Sequence, residues 1–160
     1  MNDIKIEIGK ELKMENLLFL RKKMKQSEIV FEMQKIGYYF QKNGIKRAGP
    51  IVNTTYNIEN VNGEQIIDVE ILVPMDKKYE LSGEYKLKEK FHLLNAVYAS
   101  HKGNPAFLQQ TYEMLFNYIQ NNNLQQITPA YNVNVKELAP GESADEMVID
   151  VYIGISPNIL

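Results

Sequence analysis

Two stretches of the chain repeat apolar residues with the spacing of an α-helix. The apolar positions are Ile29, Met33, Ile36 and Phe40 in the first stretch and Leu108, Tyr112, Leu115 and Ile119 in the second. This spacing places each set on one side of a helix, and such a side must pack against another element. Asn104 and Pro105 are residue types that begin helices, and Ser27 is a candidate cap for the first helix.

Apolar runs before and after each helix predict strands with buried faces. Candidate strands precede the helices at residues 17–20 and 96–99, and follow them at residues 51–58, 66–73, 130–135 and 147–155. Asn62 and Gly63 are a strong signal for a hairpin turn between two of these strands. Residues 4–8 and 85–87 predict two additional strands, and the highly charged residues 76–90 are interpreted as a connector.

The second half of the chain repeats the first at an offset of 79 residues. This offset aligns the two helices without a gap. It also pairs Gly44 with Asn123, and glycine and asparagine best tolerate the left-handed conformation that ends a helix. Each half consists of a strand, a helix and two further strands. We therefore predict a single domain, residues 1–160, whose modules at residues 1–78 and 79–160 are related by a pseudo-twofold axis.

The composition excludes several classes of protein. The chain has no cysteine, which rules out disulfides, thiolate zinc sites and cysteine nucleophiles. A net charge of -2 and a pI of about 5.8 argue against direct binding of nucleic acid. No apolar stretch approaches the roughly 20 residues of a membrane span, and the first residues lack the apolar core of a signal peptide. We therefore expect a soluble protein of the cytoplasm.

The remaining side chains form no catalytic or metal-binding motif. His92 and His101 are the only histidines, too few for a histidine-rich metal site, and His101 is interpreted as a turn residue before the second helix. The scattered glycines form no phosphate-binding loop. We therefore predict no catalytic residue, no metal and no cofactor. The basic run at residues 21–25, with Lys46 and Arg47, is either a solvated rim or a surface for an acidic protein partner.

Residues 96–131 resemble the second half of a gyrase-inhibitor-like domain, the effector-binding domain also found in AraC-type and MerR-type bacterial transcription activators. The matching features are a strand that runs into a His-Lys-Gly sequence at residues 101–103, a helix with aromatic residues, a turn, and a return strand with proline. Residues 148–155 (VIDVYIGI) resemble the closing strand of the family, and residues 68–74 (DVEILVP) resemble the corresponding strand of its first half.

The resemblance implies an α+β fold. Its two strand–helix–strand–strand modules form one curved antiparallel sheet, with the two main helices on the outer face and a central cleft. Ligands of the family are typically hydrophobic molecules that are cationic or aromatic, and an acidic residue lies on the cleft floor. The expected function is that of a stand-alone effector-binding domain for such a small molecule. The alternative is a protein-interaction module with a vestigial cleft, which contacts a protein partner through an edge strand or the basic run.

The last strand of each module has an apolar face suited to a helix and a second, mixed face. Alternation places Glu70 within the mixed face of residues 66–75 and Asp150 at the centre of the other. A carboxylate screened from water among aromatic rings holds a cation through ion pairing and cation–π attraction. We predict that Glu70 and Asp150 bind the ligand. The aromatic residues expected around them are Tyr56, Tyr98, Tyr131 and Tyr152.

The chain departs from the family pattern in three respects. Asp150 stands where glutamate is typical, Gly154 stands where proline is usual, and there is no tryptophan. Hydrolases that resemble this family use a tryptophan beside the glutamate, so we expect no enzyme activity. The related regulators carry a helix-turn-helix domain before the effector domain, and we expect the roughly 15 residues before the predicted strand at residues 17–20 to be too few to form one.

Overall fold

The structure is a computed structural model that describes residues 4–158. In chain order, its strands and α-helices are β1 (Ile6–Lys25), α1 (Ile29–Lys42), β2 (Val52–Val61), β3 (Glu64–Pro74), β4 (Lys86–Lys102), α2 (Leu108–Asn121), β5 (Gln126–Lys136) and β6 (Val148–Ile155). The strand pairs within each part of the chain are antiparallel. The α+β class predicted from the sequence is confirmed.

The described residues form two compact units. The first unit is Met14–Phe91, and the second unit consists of the described residues up to Lys13 together with those from His92 onward. Residues of β1 and β4 therefore belong to both units. The modules at residues 1–78 and 79–160 stay a prediction.

In the first unit, a core forms between α1 and the apolar face of the central strand. That strand is β3, which pairs with β1 on one side and β2 on the other. The core includes Ile67, Val69, Ile71 and Val73 of β3 and Ile36 and Phe40 of α1. Burying each of these side chains contributes about 1.5–3 kcal/mol. This packing leaves the mixed face of β3 on the side away from the α1 core.

The second unit has the same order of elements. Its central strand is β6, which pairs with β4 and with β5. The core includes Ile149, Val151, Ile153 and Ile155 of β6, Leu115 and Ile119 of α2, and Val97 and Ala99 of β4. In each unit, therefore, the second of the two strands that follow the helix (β3 or β6) is the central one, and its apolar face is buried with the apolar side of the helix.

Both α-helices end in the same backbone motif. Gly44 and Asn123 have positive φ angles of 66° and 54°. The next residues, Ile45 and Leu124, each donate a backbone hydrogen bond of 2.9 Å to the carbonyl five positions earlier. This arrangement is the Schellman motif, which satisfies carbonyl groups that the helix end leaves unpaired. The helix ends predicted from Gly44 and Asn123 are confirmed.

The helix starts agree with the sequence at α2 and differ at α1. The Asn104 side chain accepts a hydrogen bond of 2.9 Å from the Ala106 amide, as expected of a cap. The prediction for Ser27 is wrong, because a 3-10 turn at Gln26–Glu28 begins before it and places it inside the turn. No helix within residues 4–158 combines the length and the apolar character needed to cross a membrane.

β1 and β4 each extend well beyond the strands that the sequence predicted. β1, which has 20 residues, begins at Ile6 within the strand expected at residues 4–8 and includes the strand expected at residues 17–20. The connector shortens because β4 begins at Lys86. Gly9 and Asn16, both inside β1, have positive φ angles of 68° and 54°. Residues in this conformation interrupt regular alternation along a strand, which is why the sequence pattern divides β1.

The predicted hairpin turn joins β2 to β3. Asn62 and Gly63 have φ angles of 51° and 81°. Positive φ at both central residues is the requirement of a type I′ turn, whose twist matches the flanking strands. This turn sets the register as far as Asn57 opposite Asp68, and a bulge at Tyr56 then shifts it by one residue so that Thr54 lies opposite Glu70.

Candidate functional site

Glu70, one of the two carboxylates predicted to bind ligand, lies on the mixed face of β3. In the strand register it is opposite Arg21 of β1 and Thr54 of β2, so the three side chains share one face. Only 2% of Glu70 is exposed. A carboxylate removed from water to this extent needs a charged partner and hydrogen bonds.

Both oxygen atoms of the Glu70 carboxylate have such partners. The Tyr56 hydroxyl donates a hydrogen bond to Oε2 at 2.7 Å, and the Lys88 ammonium donates one to Oε1 at 3.3 Å. The Lys88 nitrogen is also 4.8 Å from the centroid of the Phe19 ring and 5.9 Å from that of Phe91. These distances are within the range of cation–π attraction. We call Glu70, Tyr56, Lys88, Phe19 and Phe91 the Glu70 cluster.

Arg21 packs over the ring of Tyr56. Its guanidinium carbon is 3.8 Å from the ring centroid, and Nε and Nη2 donate hydrogen bonds to the Asp68 carboxylate at 3.2 and 3.1 Å. These hydrogen bonds lower the pKa of Asp68 and raise the pKa of Arg21. Tyr56 is thus held at its ring by Arg21 and at its hydroxyl by Glu70.

Asp150, the other predicted carboxylate, is half-buried on the mixed face of β6. In the register it is opposite Ser100 of β4. The next row on the same face aligns three tyrosines across β4, β6 and β5, namely Tyr98, Tyr152 and Tyr131. The centroids of the Tyr98 and Tyr152 rings are 5.0 Å apart, and the rings are tilted by 52°. We call these five residues, Asp150, Ser100, Tyr98, Tyr131 and Tyr152, the Asp150 cluster.

The Asp150 charge changes the titration of two neighbouring phenols. Burial, followed by the charge of Asp150, raises the pKa of Tyr98 to about 12. A hydrogen bond with Ser100 acts in the opposite direction. Burial also raises the pKa of Tyr152, with smaller effects from Asp150 and Glu7. The cluster therefore presents one carboxylate among phenols that stay protonated at neutral pH.

The two clusters occupy corresponding positions in the strand registers. The residues opposite Glu70 are Arg21 and Thr54, and those opposite Asp150 are Ser100 and Val133. Each of the latter pair comes 79 positions after its counterpart, and Asp150 comes 80 positions after Glu70. Both clusters have a lysine ammonium over an aromatic ring, since the Lys10 nitrogen is 5.5 Å from the centroid of the Tyr98 ring. They differ in that Lys88 also donates a hydrogen bond to the Glu70 carboxylate. The agreement of spacing supports the predicted repeat, which stays a prediction.

The structure distributes the six residues predicted to bind ligand over these clusters. Tyr56 joins Glu70, and the other three tyrosines join Asp150. Their role in ligand binding stays a prediction. The sequence analysis missed Lys88, Phe19 and Phe91. The alternation of residues 17, 19 and 21 along β1 gave a partial signal for Phe19, but only the register shows which residues meet Glu70.

The basic run of β1 is paired within the first unit. Each of its cations has a carboxylate partner: Arg21 with Asp68, Lys22 with Glu32 and Glu84, Lys23 with Glu59, and Lys25 with Glu64. These pairs reduce the positive potential that would attract an acidic protein.

His101 is a strand residue, so its interpretation as a turn residue is wrong. It lies near the end of β4, is 5% exposed, and has partners for both ring nitrogens. Nδ1 is 2.8 Å from the Thr111 hydroxyl oxygen and Nε2 is 3.0 Å from the Asn104 carbonyl oxygen. These contacts join β4 to the start of α2. Among residues 4–158, no three or more histidine, aspartate or glutamate side chains are grouped as a metal site would require.

Several solved structures have the same fold. The crystal structure of the EcmrR C-terminal domain has a TM-score of 0.78 at 15% identity, over 96% of this chain and 98% of that one. In the cryo-EM structure of an EcmrR–DNA complex, which also has a TM-score of 0.78 at 15% identity, the match covers 95% of this chain and 57% of EcmrR. The chain therefore spans little more than half the length of that regulator chain.

Two other structures are similar over nearly all of their length. A hydrolase encoded by lin2189 from Listeria innocua has a TM-score of 0.63 at 11% identity, over 96% of this chain and 91% of that one. SAV2435 bound to tetraphenylphosphonium has a TM-score of 0.51 at 10% identity, over 98% and 95% of the two chains. No protein-family model matches the sequence, and no curated protein matches it. At these identities the likeness is one of fold, and that fold is consistent with a gyrase-inhibitor-like domain.

Proposed function

We propose that the chain binds a hydrophobic organic cation at the Asp150 cluster. The observation that carries this proposal is the placement of one half-buried carboxylate of the central strand beside three tyrosines aligned in register across β4, β6 and β5. The carboxylate supplies the charge that selects a cation. The rings supply apolar surface and cation–π attraction, which is worth about 0.5–2 kcal/mol per ring at such sites.

The Glu70 cluster is an example of the same kind of cation binding within this protein. There, a carboxylate and two phenyl rings already surround an ammonium, that of Lys88. The corresponding carboxylate of the second unit has aromatic neighbours, and the ammonium of Lys10 lies 5.5 Å from the centroid of the Tyr98 ring. A ligand cation fits the same chemistry at Asp150. The structure of SAV2435 with tetraphenylphosphonium, a hydrophobic cation, gives additional support through a shared fold.

Calorimetric titration with tetraphenylphosphonium tests the proposal. We expect saturable binding by the wild-type chain and at least about tenfold weaker binding by Asp150→Asn, because about 1.4 kcal/mol of charge attraction is lost. Asp145→Asn is the matched control, since Asp145 is an exposed aspartate of the same unit. Triphenylphosphine oxide, a neutral molecule of related shape, should bind weakly to all three proteins.

A pair of variants at Tyr98 separates the ring from the hydroxyl. Tyr98→Phe keeps the ring and should bind tetraphenylphosphonium nearly as well as wild type, whereas Tyr98→Leu should bind about 2- to 30-fold more weakly. At about 100 times the dissociation constant, the cation should stabilise the wild-type fold by about 2.7 kcal/mol. Absence of saturable binding by the wild type, or equal binding by Asp150→Asn, would contradict the proposal.

The alternative function, a protein-interaction module, has one observation in its favour. Lys88 fills the Glu70 cluster, as expected of a binding site that has lost its ligand. The paired basic run weakens the surface first suggested for such a partner. Failure of the wild type to bind any hydrophobic cation would favour this alternative.

A further inference from the structure

The Lys88 ammonium has the contacts that a bound alkylammonium ligand requires. It donates a hydrogen bond to a carboxylate oxygen at 3.3 Å and lies 4.8 Å from the centroid of the nearer phenyl ring. The carboxylate that receives it is 2% exposed, so the charge attraction is little screened by water. A side chain of the protein thus occupies a site built for a cation.

Within this cluster, Lys88 is the component that can leave. It is the third residue of β4, and 34% of its side chain is exposed, whereas only 3% of the Glu70 side chain is. Tyr56 is held by the stacked Arg21 guanidinium as well as by Glu70. The lysine side chain also has a long flexible stem, which lets its ammonium reach water without movement of the strand.

We propose that the Glu70 cluster is a binding site for primary alkylammonium groups and that Lys88 is its internal ligand, which an external amine must displace. This inference rests on the proposed function in that it takes the carboxylate–aromatic clusters of this chain to be cation sites. Primary ammonium is the favoured class because it can donate a hydrogen bond to Oε1, as Lys88 does. Quaternary ammonium has no N–H group with which to replace that bond.

The covalent attachment of Lys88 to the chain explains why its ammonium keeps the Glu70 cluster occupied in the wild type. A group attached to the chain competes at an effective concentration in the millimolar range or above. External amines should therefore bind the wild type only weakly. Removing the lysine side chain beyond Cβ leaves a space with the shape and charge of n-propylammonium.

The test uses Lys88→Ala and n-propylammonium, the fragment that this substitution removes. We expect Lys88→Ala to melt at a lower temperature than wild type, and n-propylammonium to recover about half or more of the loss in a saturable manner. Neither n-propanol, which lacks the charge, nor tetramethylammonium at equal ionic strength should do so. The wild type should respond little to any of the three compounds.

Two variants serve as controls. Lys78→Ala removes a lysine that pairs with Glu89 at 2.9 Å on the exposed surface of the same unit, and it should show no specific response to n-propylammonium. Lys88→Ala combined with Glu70→Gln removes both charges, so it should fold without the amine and fail to respond to it.

Each outcome bears on the proposal. Equal responses of Lys88→Ala, Lys78→Ala and wild type to n-propylammonium would overturn it. If Lys88→Ala is unfolded, refolding in the presence of n-propylammonium supports it. If Lys88→Ala stays unfolded in the presence of n-propylammonium while the double variant with Glu70→Gln is folded, the proposal is overturned. Tetraphenylphosphonium binding reports separately on Asp150, so a loss of the amine response alone leaves the proposed function intact.

Discussion

Tyr98 lies on the strand next to that of Asp150, and burial, followed by the Asp150 charge, raises its pKa to about 12. The phenol gives up its proton only when the pH is high enough to overcome both burial and the adjacent negative charge. At Glu70, by contrast, the negative charge is paired with a lysine ammonium. The carboxylates at corresponding positions of the two units, Glu70 and Asp150, therefore have different electrostatic surroundings.

We predict that alkaline pH destabilises the fold through Tyr98. Its pKa is about 12 in the folded chain and about 10 in the unfolded chain. Because the folded state holds the Tyr98 proton more tightly than the unfolded state does, the contribution of Tyr98 to the free energy of unfolding is fully present below about pH 10. It is lost as pH rises from about 10 to about 12. Urea unfolding across this interval should show a falling free energy of unfolding.

Two variants identify the source of that pH dependence. Asp150→Asn should lower the pKa of Tyr98 and reduce the slope between pH 10 and 12, because it removes a neighbouring negative charge. Tyr98→Phe should reduce the slope further. Tyr38→Phe, at a tyrosine that is 67% exposed, is the control. An unchanged slope in Tyr98→Phe would show that other groups cause the alkaline loss.

At the scale of elements, α2 is joined to its sheet by polar as well as apolar contacts. The Tyr112 hydroxyl donates a hydrogen bond of 2.6 Å to the Asn132 side-chain oxygen on β5. Burial raises the pKa of Tyr112 to about 12. Because the Tyr112 hydroxyl is removed from water, its hydrogen bond to Asn132 is needed to offset the cost of burying it.

We predict that Tyr112→Phe lowers the free energy of unfolding by about 1–2 kcal/mol, since it removes a hydrogen bond to a nearly buried amide. Urea denaturation at neutral pH measures the change. Asn132→Ala in both backgrounds completes a double-mutant cycle, in which a coupling near zero would contradict the assigned hydrogen bond.

Position 154 of β6 requires glycine because side chains of the neighbouring strands lie close to it. A Cβ atom at this position would lie 2.7 Å from Cγ2 and 2.8 Å from Oγ1 of Thr128, and 3.1 Å from a methyl carbon of Leu93. The Gly154 amide also donates a hydrogen bond of 2.8 Å to that hydroxyl. Proline, usual at this position in the resembling family, would supply no such donor.

We predict that Gly154→Ala destabilises the fold by about 1–3 kcal/mol through overpacking. Thermal and urea unfolding measure the loss. Combining it with Thr128→Ala, which removes the two closest atoms, should cost less than the sum of the single substitutions. Strict additivity would show that the contact with Thr128 is not the cause.

The sequence predicted those elements whose signals are local. Helix sides, the Asn62–Gly63 turn and the apolar faces of β3 and β6 depend on residues within one segment, and all are confirmed. The full length of β1 was not predictable, because left-handed residues within it break the alternation. Pairing of β1 with β3 involves residues about fifty positions apart, and no local pattern encodes that register.

The same distinction applies to the candidate site. Asp150 and Tyr152 are two positions apart on one strand, so alternation alone places them on one face. Lys88 reaches Glu70 from another strand and lay within a segment interpreted as a connector. Its role follows only from the packing of side chains across the sheet.

For the molecule as a whole, we predict that one hydrophobic cation binds per chain. Both oxygens of Glu70 are engaged by Tyr56 and Lys88, whereas Asp150 is half-buried beside the three tyrosines of its cluster. Calorimetric titration with tetraphenylphosphonium should give a stoichiometry of about one. Two sites of equal affinity would contradict this expectation and would show that Lys88 is easily displaced.

The contrast between the two hairpins has a consequence for the order of folding. β2 and β3 are separated by a turn of two residues, whereas eleven residues (137–147) separate β5 from β6. Closing the longer loop costs more chain entropy, and hairpins with short sequence separation form sooner. Amides of β2 and β3 should therefore gain protection in pulsed hydrogen exchange before those of β5 and β6.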